Sequence, residues 1–151
     1  MEEKHSYEVS LKWDEGRKGV MEAPDLEQKI TVVTPPEFDK GIPGFWSPEH
    51  LYTASVLSCY MTTFLAIAEY SKLEFEDFDC TAEGILEKVD KRFLMTEINL
   101  KATLKISDPE KKEKAERILE KSEAACLISN SIKSKVNLET NIISEQKIEF
   151  I

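Results

Sequence analysis

Three cysteines are the side chains of this 151-residue sequence best suited to nucleophilic chemistry. Cys59, Cys80 and Cys126 lie far apart along the chain and form no CxxC pair, so their spacing matches no zinc site. Three cysteines in a chain that we expect to be cytosolic do not form a disulfide framework either. They are therefore inert core residues, or they include a pair that carries out redox chemistry.

Other catalytic motifs are missing from the sequence. It contains no GxSxG, no phosphate-binding glycine loop and no HExxH. The two histidines, His5 and His50, lack the rest of a metal-ligand set, so we expect no metal and no cofactor. His50 is predicted to be a half-buried packing residue in the first turn of a helix.

Cys59 lies in the middle of that helix, which the pattern predicts from Pro48 to about Tyr70. Ser47 can cap the free amides, Pro48 fits the first helical position, and Glu49 complements the positive end of the dipole. A cysteine attacks as its thiolate and needs a cation or hydrogen-bond donors nearby. An apolar helix supplies no cation, so from its own surroundings Cys59 is interpreted as an inert core thiol.

The predicted helix is apolar nearly all round, which favours burial on most sides. Serine and threonine interrupt its apolar stretch at 51–68, so a buried core helix is a better interpretation than a membrane span. One small sheet cannot cover such a helix. We therefore expect a homodimer that buries it centrally.

Alternating apolar and polar residues predict strands on both sides of this helix. Before it, strands are predicted at 6–13, 18–22 and 29–33. After it, 76–88 and 93–106 form a long antiparallel hairpin that turns at 89–92, followed by an amphipathic helix from Asp108-Pro109 and a last strand at 136–143. This order predicts a single α+β domain over 1–151, with mostly antiparallel sheets packed around the long helix.

The charge of the chain excludes some partners. The formal net charge is -9 and the pI is about 4.9, whereas nucleic acid and anionic membrane surfaces require a basic face. The N-terminus is polar and lacks the apolar core of a signal peptide. We expect a cytoplasmic protein that binds neither nucleic acid nor membrane.

Three motifs carry a resemblance to a known family. The segment 47–59, with its Pro-Glu pair, Leu51, Ala54 and a cysteine near mid-helix, resembles the central-helix motif of the OsmC/Ohr family (osmotically inducible protein C and organic hydroperoxide resistance proteins). The segment 125–130 is similar to the family's second cysteine segment, and 15–19 is similar to its arginine turn. The three matches occur in family order, so the resemblance covers nearly the whole chain and implies an intertwined OsmC-like dimer.

The resemblance implies a role for four residues. Cys59 corresponds to the peroxidatic cysteine and Cys126 to the resolving one. Arg17 corresponds to the arginine that holds the thiolate and orients the peroxide, and Glu49 to the glutamate that positions this arginine. The implied activity is thiol-dependent reduction of organic hydroperoxides, with hydrogen peroxide as a second substrate. A dithiol reductant, either a lipoylated or a thioredoxin-like protein, would restore the thiols. Phe45, Trp46 and Tyr60 are candidates for an apolar substrate pocket.

The chain departs from the family pattern at two positions. Leu127 stands where the family has proline after the second cysteine, and Lys18 replaces an acidic residue after the arginine. The alternative interpretation is a non-catalytic OsmC-like module that senses redox state or binds a ligand, and a third is that both cysteines are buried and idle. Cys80 has no counterpart in the family and is interpreted as a structural or surface cysteine.

Overall fold

The computed structural model describes residues 3–144, and its contacts divide the chain into two units. Unit 1 is Met1–Leu51 and unit 2 is Tyr52–Ile151. Each unit contains its own three-stranded sheet. The long predicted helix is observed and continues from the end of unit 1 into unit 2.

Unit 1 contains an antiparallel sheet of β1 (Ser10–Glu15), β2 (Lys18–Glu22) and β3 (Ile30–Val33). β2 has the predicted bounds, whereas β1 begins four residues later than the predicted 6–13. Gly16 makes the tight turn between β1 and β2 with a φ of 52°, a conformation in which a side chain would be strained. The alternation of β1 is real, but its apolar side chains lie in solvent: Leu11 is 63% and Trp13 71% exposed.

Helix α1 (Pro48–Tyr70) begins at a reciprocal cap. The Ser47 hydroxyl accepts the His50 N–H at 3.2 Å, and His50 Nδ1 accepts the Ser47 N–H at 3.3 Å. Histidine thus takes the place that glutamate has in a capping box. The prediction of a half-buried His50 is wrong, because this side chain is exposed and makes an edge contact with the Trp46 ring at 6.0 Å.

The single chain buries one stripe of α1, whereas the sequence predicts burial on most sides with a partner subunit as part of the cover. The buried residues of α1 are spaced four apart and form one stripe: Val56, Tyr60, Phe64 and Ala68. Met61 and Leu65 are each 41% exposed. Among the described residues, α1 is also the helix that is long and apolar enough to cross a membrane, a test that the core helix of a soluble protein passes equally.

The sheet of unit 2 consists of β4 (Asp77–Val89), β5 (Arg92–Ile106) and β6 (Lys135–Ser144). β4 and β5 form the predicted hairpin. Its two turn residues, Asp90 and Lys91, have φ angles of 47° and 69°, as a two-residue turn of type I′ requires. β6 pairs with β5 in parallel, which the alternation did not predict. The crossover includes a 3₁₀ turn at Pro109–Lys111 and helix α2 (Lys112–Ala124).

The core of unit 2 lies on one face of this sheet. The predicted inward face of β5 is buried: Ile98, Leu100, Ala102, Leu104 and Ile106. Both helices pack into the same core, α1 through its buried stripe and α2 through Ala115, Ile118 and Leu119. At Gly84, a Cβ atom would lie 2.2 Å from the Thr53 hydroxyl oxygen, so this glycine permits the close approach of β4 and α1.

Candidate active site

Cys59 is half-buried on α1, with four hydrogen-bond donors around its sulfur. Burial acts to raise its pKa. The opposing contributions come from the Ile128 N–H, the Cys126 thiol, the Thr63 hydroxyl and the Leu127 N–H, and together they hold the pKa below its ordinary value. Hydrogen bonds to a charged form stabilise that form, so these donors favour the thiolate. None of the four is a cation.

Cys126 is fully buried, and its pKa moves in the opposite direction. Burial raises it most, the hydroxyl and backbone of Ser129 oppose this, and the neighbouring Cys59 sulfur adds a smaller upward contribution. The Ser129 hydroxyl is buried and faces the Cys126 sulfur. Cys126 is therefore the protonated member of the pair, and it donates to Cys59.

The segment that supplies three of the four donors lies between α2 and β6. The C-terminal end of α2 turns at Cys126, whose N–H donates to the Glu123 carbonyl at 3.1 Å. A 3₁₀ turn follows at Ser129–Ser131. The structure brings Cys59 and Cys126 together, with their sulfurs in hydrogen-bonding contact.

Arg17 and Glu49 lie in unit 1, where both line a cleft of about 340 Å³. Arg17 directly follows the Gly16 turn, its side chain is exposed, and its carbonyl accepts the Thr34 N–H at 3.1 Å. Glu49 lies in the first turn of α1 and is half-buried. The sheet and the helix start thus each place one residue of this pair at the same cleft, and arginine's forked donors are suited to pairing with a carboxylate.

Sequence reasoning missed the donors that surround Cys59. Thr63 lies four residues after Cys59 on α1, and this helical spacing was a usable signal. The N–H groups of Leu127 and Ile128 left no signal, because every residue except proline has one. The prediction that Tyr60 lines a substrate pocket is wrong. Tyr60 is fully buried and its hydroxyl donates to the Leu119 carbonyl at 3.0 Å, so it belongs to the core.

Cys80 has a different environment. Burial raises its pKa to about 11, and only the Lys101 backbone opposes this. It lines an apolar cavity of about 350 Å³ together with residues of α1 and β4: Ala54, Leu57, Ser58, Met61, Phe78 and Asp79. Over the described residues 3–144, no group of three His, Cys, Asp or Glu side chains could hold a metal ion.

Comparison with known proteins places this site in a family. A model of the OsmC-like protein family matches residues 39–141, which is more than half of the chain and includes Glu49, Cys59 and Cys126. The chain belongs to the OsmC-like family. Arg17 lies outside the matched residues. The match confirms the family resemblance and includes two of its three motifs, 47–59 and 125–130.

The OsmC-like fold is confirmed by solved structures. An OsmC-like protein of unknown function from Vibrio cholerae superposes with a TM-score of 0.81 at 22% identity, covering 91% of this chain and 99% of that one. An organic hydroperoxide resistance protein OsmC from Legionella pneumophila gives 0.70 at 23% identity, covering 93% and 98%. The uncharacterised protein YmaD of Bacillus subtilis is 26% identical over 140 residues, covering 89% of this chain and 91% of its own length.

Proposed function

We propose that this chain is a thiol-dependent peroxide reductase that acts on organic hydroperoxides. The observation that carries the proposal is the asymmetry of two adjacent thiols. The pKa of Cys59 is held down by four donors against burial, whereas burial and the Cys59 sulfur raise the pKa of Cys126. One cysteine is thus prepared to attack as a thiolate, and its neighbour is kept as a thiol.

In the first step the Cys59 thiolate attacks the distal peroxide oxygen and the O–O bond breaks. The sulfur becomes a sulfenic acid, and the departing alkoxide takes up a proton to leave as an alcohol. The donors that stabilise the thiolate do not consume it. They raise the fraction of Cys59 that is reactive near neutral pH.

In the second step Cys126 attacks the sulfenic acid, a disulfide forms and water leaves. Part of what raises the pKa of Cys126 is the negative Cys59 sulfur, behind the larger effect of burial. Oxidation of Cys59 removes that charge, so Cys126 becomes easier to deprotonate at the stage when it must attack. The two sulfurs interact in the reduced protein, and the disulfide would bring them to a bond length of about 2 Å.

In the third step an external dithiol reduces the disulfide by thiol–disulfide exchange and is itself oxidised to a disulfide. We propose a lipoylated or thioredoxin-like protein as this reductant. The Legionella protein is an organic hydroperoxide resistance protein by name, which agrees with the proposed substrate class. No resident cofactor is needed, because the electrons pass through sulfur alone.

Arg17 and Glu49 are proposed to complete the site. Arginine keeps its charge at all working pH values, so Arg17 can stabilise the thiolate and orient the peroxide. Glu49 can hold the guanidinium through two hydrogen bonds. Their shared cleft in unit 1 supports the pairing of these two residues.

A cytoplasmic homodimer is the proposed assembly. The apolar side chains of β1, Leu11 and Trp13, are exposed in the single chain, as are Met61, Leu65 and Tyr70 of α1. Exposed apolar rows on a strand and a helix indicate a protein interface. Sedimentation of the protein at micromolar concentration should give a dimer, and a stable monomer would contradict this part of the proposal.

The proposal is tested by measuring peroxide consumption with a dithiol reductant. Cumene hydroperoxide and hydrogen peroxide serve as substrates, and dihydrolipoamide as the reductant. Wild type should turn over, and Cys59→Ser should not. If wild type consumes no more peroxide than Cys59→Ser with either peroxide, the enzyme proposal fails. Formation of a Cys59–Cys126 disulfide without turnover would favour the redox-sensing alternative.

Arg17 is tested in the same assay. Arg17→Ala should slow peroxide consumption and raise the pKa of Cys59, and an unchanged thiolate titration would remove Arg17 from the site. Mixed dimers of Arg17→Ala and Cys59→Ser subunits identify which subunit supplies the arginine. Regained activity in the mixture shows that Arg17 of one subunit serves Cys59 of the other, and no regain shows that both act within one subunit.

A further inference from the structure

We propose that Ser131 and Asn130 are positioning residues that orient the two backbone N–H groups facing Cys59, and this inference rests on the proposed reactivity of Cys59. Neither side chain touches the sulfur. Each side chain donates a hydrogen bond to a backbone carbonyl in the segment that follows α2. That carbonyl shares a peptide plane with an N–H group that faces the sulfur, so the hydrogen bond fixes the direction of the N–H group.

The planar peptide bond couples the direction of each carbonyl to that of the next N–H group. In a trans peptide the C=O of one residue and the N–H of the next belong to the same plane and point in opposite directions. An acceptor held on one side therefore fixes the direction of the donor on the other. The Leu127 N–H shares its plane with the Cys126 carbonyl, and the Ile128 N–H shares its plane with the Leu127 carbonyl.

Both carbonyl oxygens accept hydrogen bonds from residues further along the chain. The Ser131 hydroxyl donates to the Leu127 carbonyl at 2.8 Å. Asn130 Nδ2 donates to the Cys126 carbonyl at 3.0 Å, and the Asn130 N–H donates to the same oxygen at 3.1 Å. Asn130 Nδ2 also reaches the Ala124 carbonyl at 3.0 Å, which ties the end of α2 to the same side chain.

The opposite sides of these two planes carry the amides that hydrogen-bond to Cys59. Ser131 thus fixes the Ile128 N–H, and Asn130 fixes the Leu127 N–H. The arrangement resembles the way an oxyanion hole is prepared in advance, because the donors already point at the negative atom and need no reorganisation. Here the negative atom is the thiolate sulfur.

Two features predict that Ser131 has a larger effect on the Cys59 thiolate than Asn130 has. The Ile128 amide is the largest favourable contribution to the Cys59 thiolate, ahead of the Cys126 thiol, Thr63 and the Leu127 amide. The Cys126 carbonyl also keeps the backbone N–H of Asn130 when the side chain is removed. Both residues are exposed, so their substitution leaves the core of unit 2 unchanged.

The test is the pH dependence of Cys59 alkylation, followed peptide by peptide with iodoacetamide on the full chain. Ser131→Ala should raise the Cys59 pKa by about half a pH unit and slow its alkylation at neutral pH about threefold. Asn130→Ala should act in the same direction by less. Ser131→Thr, which keeps the hydroxyl, should restore the wild-type profile, an outcome that a merely structural role does not predict.

Ser58→Ala is the matched control, because Ser58 neighbours Cys59 but its hydroxyl returns to the Ser55 carbonyl in the same helix. Circular dichroism verifies that each variant is folded. If folded Ser131→Ala and Asn130→Ala both titrate like wild type and Ser58→Ala, the inference is overturned. If the titrations shift as expected but wild type consumes no peroxide, the positioning role stands and the peroxide reductase proposal alone fails.

Discussion

Cys59 and Cys80 are both half-buried thiols in unit 2, yet burial leads to opposite outcomes at the two sites. Burial is the largest influence on each and raises both pKa values. At Cys80 one backbone group opposes it, and the pKa reaches about 11. At Cys59 four donors converge and the pKa falls below its ordinary value. The two sites differ in depth of burial, which is greater at Cys80, and in the number of donors, so neutral donors outweigh burial only at Cys59.

The comparison predicts a wide gap in reactivity between the two thiols. Deprotonation creates the reactive thiolate. Cys80 should therefore be alkylated slowly until the pH approaches 11, whereas Cys59 should be alkylated at a pH below the range in which an ordinary thiol reacts. At neutral pH the Cys59 rate should exceed the Cys80 rate by at least about a hundredfold, since each pKa unit changes the thiolate fraction tenfold. Alkylation against pH with peptide mapping measures this gap. Equal alkylation rates of Cys59 and Cys80 near neutral pH would contradict the proposed difference between the two thiols.

Cys126 provides a second test of the difference between Cys59 and Cys80. Cys126→Ala removes the resolving thiol and one donor to Cys59, so steady-state peroxide consumption should fall at least about tenfold while a Cys59 sulfenic acid persists. A dimedone adduct on Cys59 detects this acid. Cys80→Ala is the control and should keep the wild-type rate. A comparable loss in Cys80→Ala would mean that the wrong pair of thiols has been assigned.

Leu127 is a smaller and more specific test. Its N–H donates to Cys59, and a proline at this position has no N–H to give. Leu127→Pro should therefore raise the Cys59 pKa and lower the thiolate fraction at neutral pH about threefold. Leu127→Ala keeps the amide and should titrate like wild type, since the Leu127 side chain is 68% exposed. If both variants titrate alike, the amide at this position does not act on Cys59.

The smallest expected effect is at Thr63. Its hydroxyl lies 3.9 Å from the Cys59 sulfur, so Thr63→Val should raise the Cys59 pKa and lower the thiolate fraction less than about twofold. Thr62→Val is the matched control, because the Thr62 hydroxyl donates to the Cys59 carbonyl at 3.0 Å instead of facing the sulfur. Thiolate absorbance against pH resolves the pair. A larger shift in Thr62→Val would contradict the assignment of the donor.

Local signals in the sequence were sufficient for most elements of the fold. The Ser47-Pro48 start of α1 and the hairpin turn at Asp90 and Lys91 depend on capping and turn chemistry within a few residues. The parallel pairing of β5 with β6 was not predictable in this way. Alternation identifies which face of a strand is buried, but it contains no information about the neighbouring strand or its direction.

In the candidate site, too, some residues were predictable from local sequence signals and others were not. Cys59 and Cys126 were identified from motifs, and the structure brings them into contact. The donors at Leu127 and Ile128 belong to the backbone, so their direction depends on folding and not on residue type. Arg17 and Glu49 stay predictions for the site, and their shared cleft supports that pairing alone.

The late position of the Cys59 donors in the chain also has a consequence for the order in which the protein matures. The amides that face Cys59 lie beyond α2 in the chain, in the segment between α2 and β6. During synthesis from the N-terminus, α1 and the hairpin emerge well before this segment. A newly made chain thus carries Cys59 without three of its four donors, and the sulfur acquires its acidity after the segment that follows α2 has been synthesised and has folded.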